Sequence, residues 1–305
     1  MKLLKTYFDF VFFKDINPKK NKLFLENLKV ADGIIGMGFP GNSNMLNSAP
    51  NLKIISNIGT GYDNLDLIEM KKRKIMGTNT PNIPNNTTAD FMFSLLLASA
   101  RRITEMDRFV KAGKWINTLE KDTFGIDVFN KKLGIIGMGE IGSLIAKRAY
   151  LGFNMEILYH NRTRNMDSEK RYEAKYHSLD ALLMKSDFVC MMAPLTTKTR
   201  HMINKKHFQL MKNTAIFING SRGETIIEDD LIFALLNEEI MGAALDVYNN
   251  EPINSENPLL KMNNVITTPH TGASTTETIL KMSKLATENI IKGLNGETPP
   301  NLLIP

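Results

Sequence analysis

Arg222, Glu251 and His270 each follow a short apolar run that reads as a strand. The runs are Ala215–Ile218, Gly242–Leu245 and Val265–Thr267. After them come Asn219-Gly220-Ser221-Arg222-Gly223, Asp246 through Pro252, and Thr268-Pro269-His270-Thr271-Gly272. A guanidinium grips a carboxylate through two parallel hydrogen bonds. An imidazole moves a proton near neutral pH, and a carboxylate beside it orients the ring and holds it protonated. The three suit proton-coupled hydride transfer to a 2-keto acid. Taken alone, His270 reads as a structural histidine. Its place after a strand, with Arg222 and Glu251 in equivalent places, favours the catalytic reading. His160, His177, His201 and His207 lie in polar surroundings and read as bystanders. No Cys/His cluster and no His-x-x-x-His spacing supports a metal.

A second constellation supplies the site for a dinucleotide. Leu133–Ile136 reads as a buried strand and runs into Gly137-x-Gly139-x-x-Gly142, after which Ile141, Leu144, Ile145 and Ala149 fall at helical spacing. Strand, glycine turn and helix are the context the dinucleotide fingerprint requires. Gly137 makes the turn, Gly139 lets backbone approach a pyrophosphate, and Gly142 brings the helix close to the strand. The first-turn residues Glu140 and Ile141 then offer N–H groups to the phosphates. After the next strand, Glu156–Tyr159, the chain reads His160-Asn161-Arg162-Thr163-Arg164. An acid that would hold a ribose 2′-hydroxyl is missing there, while Arg162 and Arg164 attract a 2′-phosphate. NADP(H) is therefore expected over NAD(H). Ala193-Pro194 follows the strand Phe188–Met192 and is expected to border the cofactor with Asn161, Thr163, Gly220, Ser221, Asp246 and Gly272.

The elements that position these residues alternate from Leu133 onward. Helices are expected at Gly142–Tyr150, Leu179–Lys185, Asn204–Met211, Glu228–Asn237 and Thr275–Leu294, giving an open parallel sheet with helices on both faces. The first hundred residues read as a smaller α/β unit with strands at Phe8–Phe13, Gly33–Met37 and Lys53–Ser56. Asn57–Asp63, with Gly59 and Gly61, is open to two readings, an anion nest or an ordinary strand-to-helix turn. Asn79–Asn86, with Pro81 and Pro84, reads as a hinge, and Thr87 with Asp90 as the capping box of a long helix ending at Lys111–Trp115. Trp115 reads as a packing anchor. The last helix is expected to return to the first domain.

At 305 residues the chain is long enough for two cores, and no apolar run reaches the length of a membrane span. Tyr7, Phe8, Asp9 and Phe10 follow the opening Met1–Lys5 without a small-residue cleavage site, so no signal peptide is expected. The single Cys190 cannot form an internal disulfide and fits a reducing cytoplasm. The net charge of +6 is scattered apart from Lys19-Lys20 and Lys71–Lys74, which argues for a solvated surface rather than nucleic-acid binding.

Over essentially its whole length the chain resembles the D-isomer-specific 2-hydroxyacid dehydrogenases. Gly152-Phe153-Asn154-Met155 and Ser186–Cys190 before Ala193-Pro194-Leu195-Thr196 are similar to the glyoxylate/hydroxypyruvate and 2-ketogluconate reductases of that family. The resemblance implies Arg222 as the substrate-binding arginine, His270 as proton donor in reduction, and Glu251 as its partner. It implies that Ile58-Gly59-Thr60 holds the substrate carboxylate through backbone N–H groups, that Asp246 faces the nicotinamide side, and that the protein is a homodimer. The expected fold is α/β with two Rossmann-like domains. One is a doubly wound dinucleotide-binding domain over 101–280. The other is a smaller discontinuous flavodoxin-like substrate domain over 1–100 and 281–305. The chain departs from the family at its hinge, Asn82–Asn86, and at Gly220, where Ala is frequent. Other readings are a dinucleotide-sensing corepressor, or an enzyme acting on formate, phosphite or a phosphorylated acid.

Overall fold

The computed structural model describes residues 4–14, 16 and 21–303, without the side chain of Asp122. Met1–Leu3 and Lys19-Lys20 lie outside the described residues. Two compact units emerge, one from residues 1–84 with 274–305 and one from 85–273.

The smaller unit holds α1 (Leu4–Tyr7), α2 (Lys22–Val30), β1 (Gly33–Gly36), α3 (Ser43–Asn47), β2 (Ile54–Asn57), α4 (Leu67–Lys72) and β3 (Met76–Thr78). Its three strands are parallel in the order β1-β2-β3. Phe8–Phe13, expected as a strand, is not part of that sheet. An apolar run makes a strand only where a neighbour takes up its N–H and C=O groups. Here Phe13 instead packs edge-on against Phe24 of α2, at 5.4 Å between ring centres, and Val11 and Phe12 are exposed. The carboxy-terminal helix Thr276–Leu294 lies on this sheet, and two glycines allow the close approach. A Cβ on Gly293 would sit 2.5 Å from Ile54, and one on Gly33 would sit 3.0 Å from Ile290. Ser56 Oγ donates to Ala286 O at 2.8 Å across the same contact.

The larger unit begins with α5 (Asn85–Ala100) and α6 (Ile103–Lys111). β4 (Lys132–Ile136), α7 (Glu140–Phe153), β5 (Glu156–His160), α8 (Met166–Tyr172), β6 (Lys175–Tyr176) and α9 (Leu179–Lys185) follow. The unit closes with β7 (Phe188–Met191), α10 (Lys205–Leu210), β8 (Ile216–Asn219), α11 (Glu228–Leu236), β9 (Gly242–Leu245) and β10 (Val265–Thr267). All seven strands are parallel, in the order β10-β9-β8-β7-β4-β5-β6. Side chains alternate between two cores. Leu133, Ile135, Ile157, Tyr159, Phe188 and Cys190 face α5 and α7 on one side. Ile136, Leu158, Val189, Met191 and Phe217 face α9, α10 and α11 on the other. Burial on both faces explains why these strands are uninterrupted apolar runs, each buried Ile or Leu contributing about 1.5–3 kcal/mol.

The unit boundary falls after Pro84, not after Ala100, because α5 packs on α7 and the large sheet. α5 starts at Asn85, so Asn85 and Asn86 are helical and Thr87 is not its N-cap. Asp90 instead pairs with Arg148 of α7 at 2.5 Å. The long helix breaks at Arg102, whose backbone is left-handed at φ 52°. Trp115 is 63% exposed and anchors no core among the described residues. It follows Gly113, at φ 68°, in a stretch without regular structure.

Candidate active site

The chain order of the large sheet reverses between β4 and β7, and ligands of such sheets lie beyond the strand ends at this point. The glycine turn sits there. Gly137 has φ 101°, and a Cβ on it would lie 2.4 Å from Ala193 N and 2.6 Å from Met192 C, so backbone after β7 excludes any side chain. A Cβ on Gly142 would lie 2.3 Å from Gly137 O. At Gly139 a Cβ would meet nothing within 4 Å. That open space, at the N-terminus of the fourteen-residue α7, is a fitting cradle for a pyrophosphate. The Glu140 carboxylate accepts from Asn85 Nδ2 at 3.2 Å.

The turn after β5 is stitched to this loop. Met138 N–H donates to Asn161 Oδ1 at 2.7 Å, and Met138 O accepts from Asn161 Nδ2 at 3.2 Å and Asn165 Nδ2 at 2.9 Å. Gly137 N–H donates to His160 O at 3.0 Å. The Asn161 amide is therefore spent on positioning the glycine loop. The two arginines differ. Arg162 and Thr163 are exposed, and Arg162 has no hydrogen-bond or ion-pair partner among the described residues. Arg164 is held in a two-pronged contact by Glu169 of α8, at 2.9 and 2.5 Å. A carboxylate is thus present beside this turn, supplied from α8 rather than by the residue after the strand.

Beyond β8, β9 and β10 the expected trio comes together. His270 Nδ1 and Glu251 Oε2 are 2.7 Å apart. The Glu251 hydrogen bond raises the histidine's pKa; burial and the Arg222 charge oppose the rise, and Asp246 adds to it. Burial disfavours ionisation of Glu251, but the contact with His270, the Tyr248 N–H and Arg222 outweigh it and hold its carboxyl below the usual range. Tyr248 N–H donates to Glu251 Oε1 at 3.1 Å, and the buried Tyr248 hydroxyl, pushed up to about 12 by desolvation, bonds to the carbonyls of Leu245 and Thr268. Arg222, half-buried, donates from Nη1 to Ser221 O at 2.8 Å. Asn219, fully buried, turns the chain toward it by accepting Ser221 N–H and donating to Arg222 O. Ser221 Oγ donates to Ala193 O.

Asp246 works at one remove. Its carboxylate, 3% exposed, accepts from Thr268 Oγ1 at 2.7 Å and from the N–H groups of Thr271 and Gly272, each at 2.8 Å. These bonds bracket His270, whose backbone is left-handed at φ 53°. Glu228 likewise steadies the Glu251 loop, accepting from Asn249 N–H at 3.1 Å and Asn257 Nδ2 at 2.8 Å. A Cβ on Gly223 would lie 1.9 Å from Tyr248 C, so the Arg222 and Glu251 loops touch backbone to backbone. Gly220 has a local cause. A Cβ there would lie 2.2 Å from Met92 Sδ, so Met92 of α5 fills the space an alanine would take. Asn219 and Glu228 did not emerge from the sequence, although an Asn two residues before Ser221 is a recognised turn-former.

In the small unit, Ile58 N–H donates to Gly36 O and Gly59 N–H to Thr80 Oγ1. Those two groups of the Ile58-Gly59-Thr60 turn are therefore committed within the unit. The Thr60 N–H has no partner among the described residues.

A glycine turn at the switch point, with a His–Glu pair and an arginine beyond neighbouring strands, defines a dinucleotide-dependent dehydrogenase. Residues 93–272 match the family model of the D-isomer specific 2-hydroxyacid dehydrogenase, NAD binding domain. The chain is 43% identical over 289 residues to a probable 2-ketogluconate reductase of Dictyostelium discoideum, covering 95% of this chain and 86% of that protein. It is 41% identical over 304 residues to glyoxylate/hydroxypyruvate reductase B of Enterobacter sp. (strain 638), covering 100% and 94%. Among solved structures it matches the NADPH-dependent glyoxylate/hydroxypyruvate reductase of Sinorhizobium meliloti in complex with citrate, with TM-score 0.79, 28% identity and 91% and 86% coverage. The chain belongs to the D-isomer-specific 2-hydroxyacid dehydrogenase family and is an NAD(P)-dependent oxidoreductase. No described helix is long and apolar enough to cross a membrane.

Proposed function

We propose that this protein reduces a small 2-keto acid of the glyoxylate, hydroxypyruvate or 2-ketogluconate type to the D-2-hydroxy acid, with Arg222, Glu251 and His270 as its catalytic set. The 2.7 Å His270–Glu251 pair beside Arg222 carries this reading. A bound nicotinamide cofactor supplies the hydride. Nδ1 of His270 is committed to Glu251, so Nε2 is the atom that gives its proton to the ketone oxygen. Glu251 keeps the imidazolium populated and its ring oriented. Arg222 fixes the carboxylate and stabilises charge developing on the carbonyl oxygen. Thr60, through its free N–H, is the member of the Ile58–Thr60 turn best able to take a carboxylate.

The cofactor preference is for NADPH. His160 stands where an acid would grip the ribose, and Arg162 is an unengaged cation on the adjoining turn. A homodimer built through the 103–129 segment fits the exposed Ile103, Val110, Trp115, Ile116, Phe124 and Phe129. A reducing cytoplasm fits the lone buried thiol of Cys190, pushed up to about 12 by desolvation. Purified protein assayed with NADPH and NADH against a panel of 2-keto acids tests the activity. Oxidation of NADPH with at least one small 2-keto acid is expected, and failure with every member overturns the reading.

A further inference from the structure

The turn Asn161–Asn165 is anchored at both ends. Asn161 and Asn165 both bond to Met138 of the glycine loop, and Asn165 N–H also donates to the hydroxyl of Tyr159 at 2.8 Å. The two arginines between these anchors carry the charge of the turn. Arg164 folds back onto Glu169, its Nε on Oε1 at 2.9 Å and its Nη2 on Oε2 at 2.5 Å. Glu169 cannot follow Arg164 outward. Its Oε1 also accepts from Tyr159 Oη at 2.5 Å, and Tyr159 is fully buried on β5. Arg164 and the Tyr159 hydroxyl both hold the carboxylate below its usual range, so it stays charged at neutral pH. A two-pronged guanidinium–carboxylate pair satisfies the donors a phosphate would otherwise use.

We propose that Glu169 is a selectivity-determining residue: anchored by Tyr159, it withholds Arg164 from the 2′-phosphate and leaves Arg162 as the reader. Glu169 acts through Arg164 and touches no reacting atom, so it is a positioning residue. Its carboxylate also weakens the pull of the turn on a dianion. The protein therefore discriminates between NADPH and NADH less than two arginines on one turn would allow. The inference rests on the NADPH assignment above.

The test is the ratio of kcat/KM for NADPH to that for NADH, with one good keto acid, across a double-mutant cycle. Glu169→Gln keeps an oxygen for the Tyr159 hydroxyl but removes the charge that holds Arg164. The ratio is expected to rise about three- to tenfold, the lower end reflecting screening at an exposed site. Adding Arg164→Ala to Glu169→Gln should cancel the rise. An unchanged or lower ratio in Glu169→Gln, or a rise that survives in the double variant, overturns the proposal. If Glu169→Gln does not fold, Glu169→Ala takes its place in the same cycle, with the same rise expected and the same cancellation by Arg164→Ala. Arg162→Ala tests the parent assignment separately. A ratio unmoved by that change sinks the phosphate reading, whereas the cycle over Glu169 and Arg164 sinks only the lock.

Discussion

Asp246→Asn changes one atom, and the structure says what it should cost. Oδ1 of Asp246 accepts from Thr268 Oγ1 and Thr271 N–H, and Oδ2 accepts from Gly272 N–H. An asparagine has one acceptor oxygen. In the better orientation its NH2 group faces the Gly272 N–H, donor against donor, and one bond to a buried charged acceptor is lost. Such a bond is worth about 2 kcal/mol, so the variant should lose at least about that much stability. For a unit of this size the loss corresponds to a melting temperature lower by about 4–8 °C. His270, at φ 53°, sits in a conformation that a non-glycine residue keeps only when its surroundings enforce it. A slack loop should let the imidazole wander, and displacements of about 1 Å can cost about 100-fold in rate. We expect kcat to fall by at least about tenfold, with cofactor binding little changed. Thermal melts and steady-state kinetics on the same preparation provide the assay. A variant that melts and turns over like the wild type would refute the assignment of Asp246 as the clamp of the His270 loop.

Arg162→Ala should weaken NADPH use by about 1–3 kcal/mol while leaving NADH use nearly intact, read as kcat/KM for each cofactor. Gly220→Ala should lower the melting temperature, because Met92 must yield to the new methyl. Met92→Val in the same chain should recover part of the loss, and no recovery would show that the strain lies elsewhere. Sedimentation at micromolar concentration should show a species of twice the 34.4 kDa chain mass. Trp115→Lys with Ile116→Lys should shift it to monomer, and a wild type already sedimenting as monomer counts against the dimer.

The large sheet was legible because its strands are buried on both faces and so stand out as short apolar runs between helical periods. The meeting of His270 with Glu251 was legible because ligands of such sheets sit beyond strand ends, which singled out one of the five histidines. The small unit was less so. Phe8–Phe13 is as apolar as a strand, but composition carries no information about a pairing partner. Trp115 looked like an anchor because burial cannot be read from residue type. β6 is only two residues long, and α8 is too short and too polar to show a buried face. The subtler omission was Glu169. Arg162 and Arg164 read as equivalent cations, and only the folded positions of α8 and Tyr159 show that one of them is engaged.

The proposed reduction depends on the Glu251 charge keeping His270 protonated. The most direct measurement is kcat/KM against pH for wild type and Glu251→Gln with one good keto acid. The pKa of His270 is raised in the folded protein, so reductive activity should hold at low and neutral pH and fall as pH rises through that value. In Glu251→Gln, the Tyr248 N–H turns the amide oxygen toward itself and presents NH2 to Nδ1 of His270. A donor there opposes the imidazolium and removes the charge that favoured it. The falling limb should therefore move to lower pH, with activity recovered in acid. Limbs that coincide, or a limb that moves to higher pH, would show that Glu251 does not hold the proton of His270.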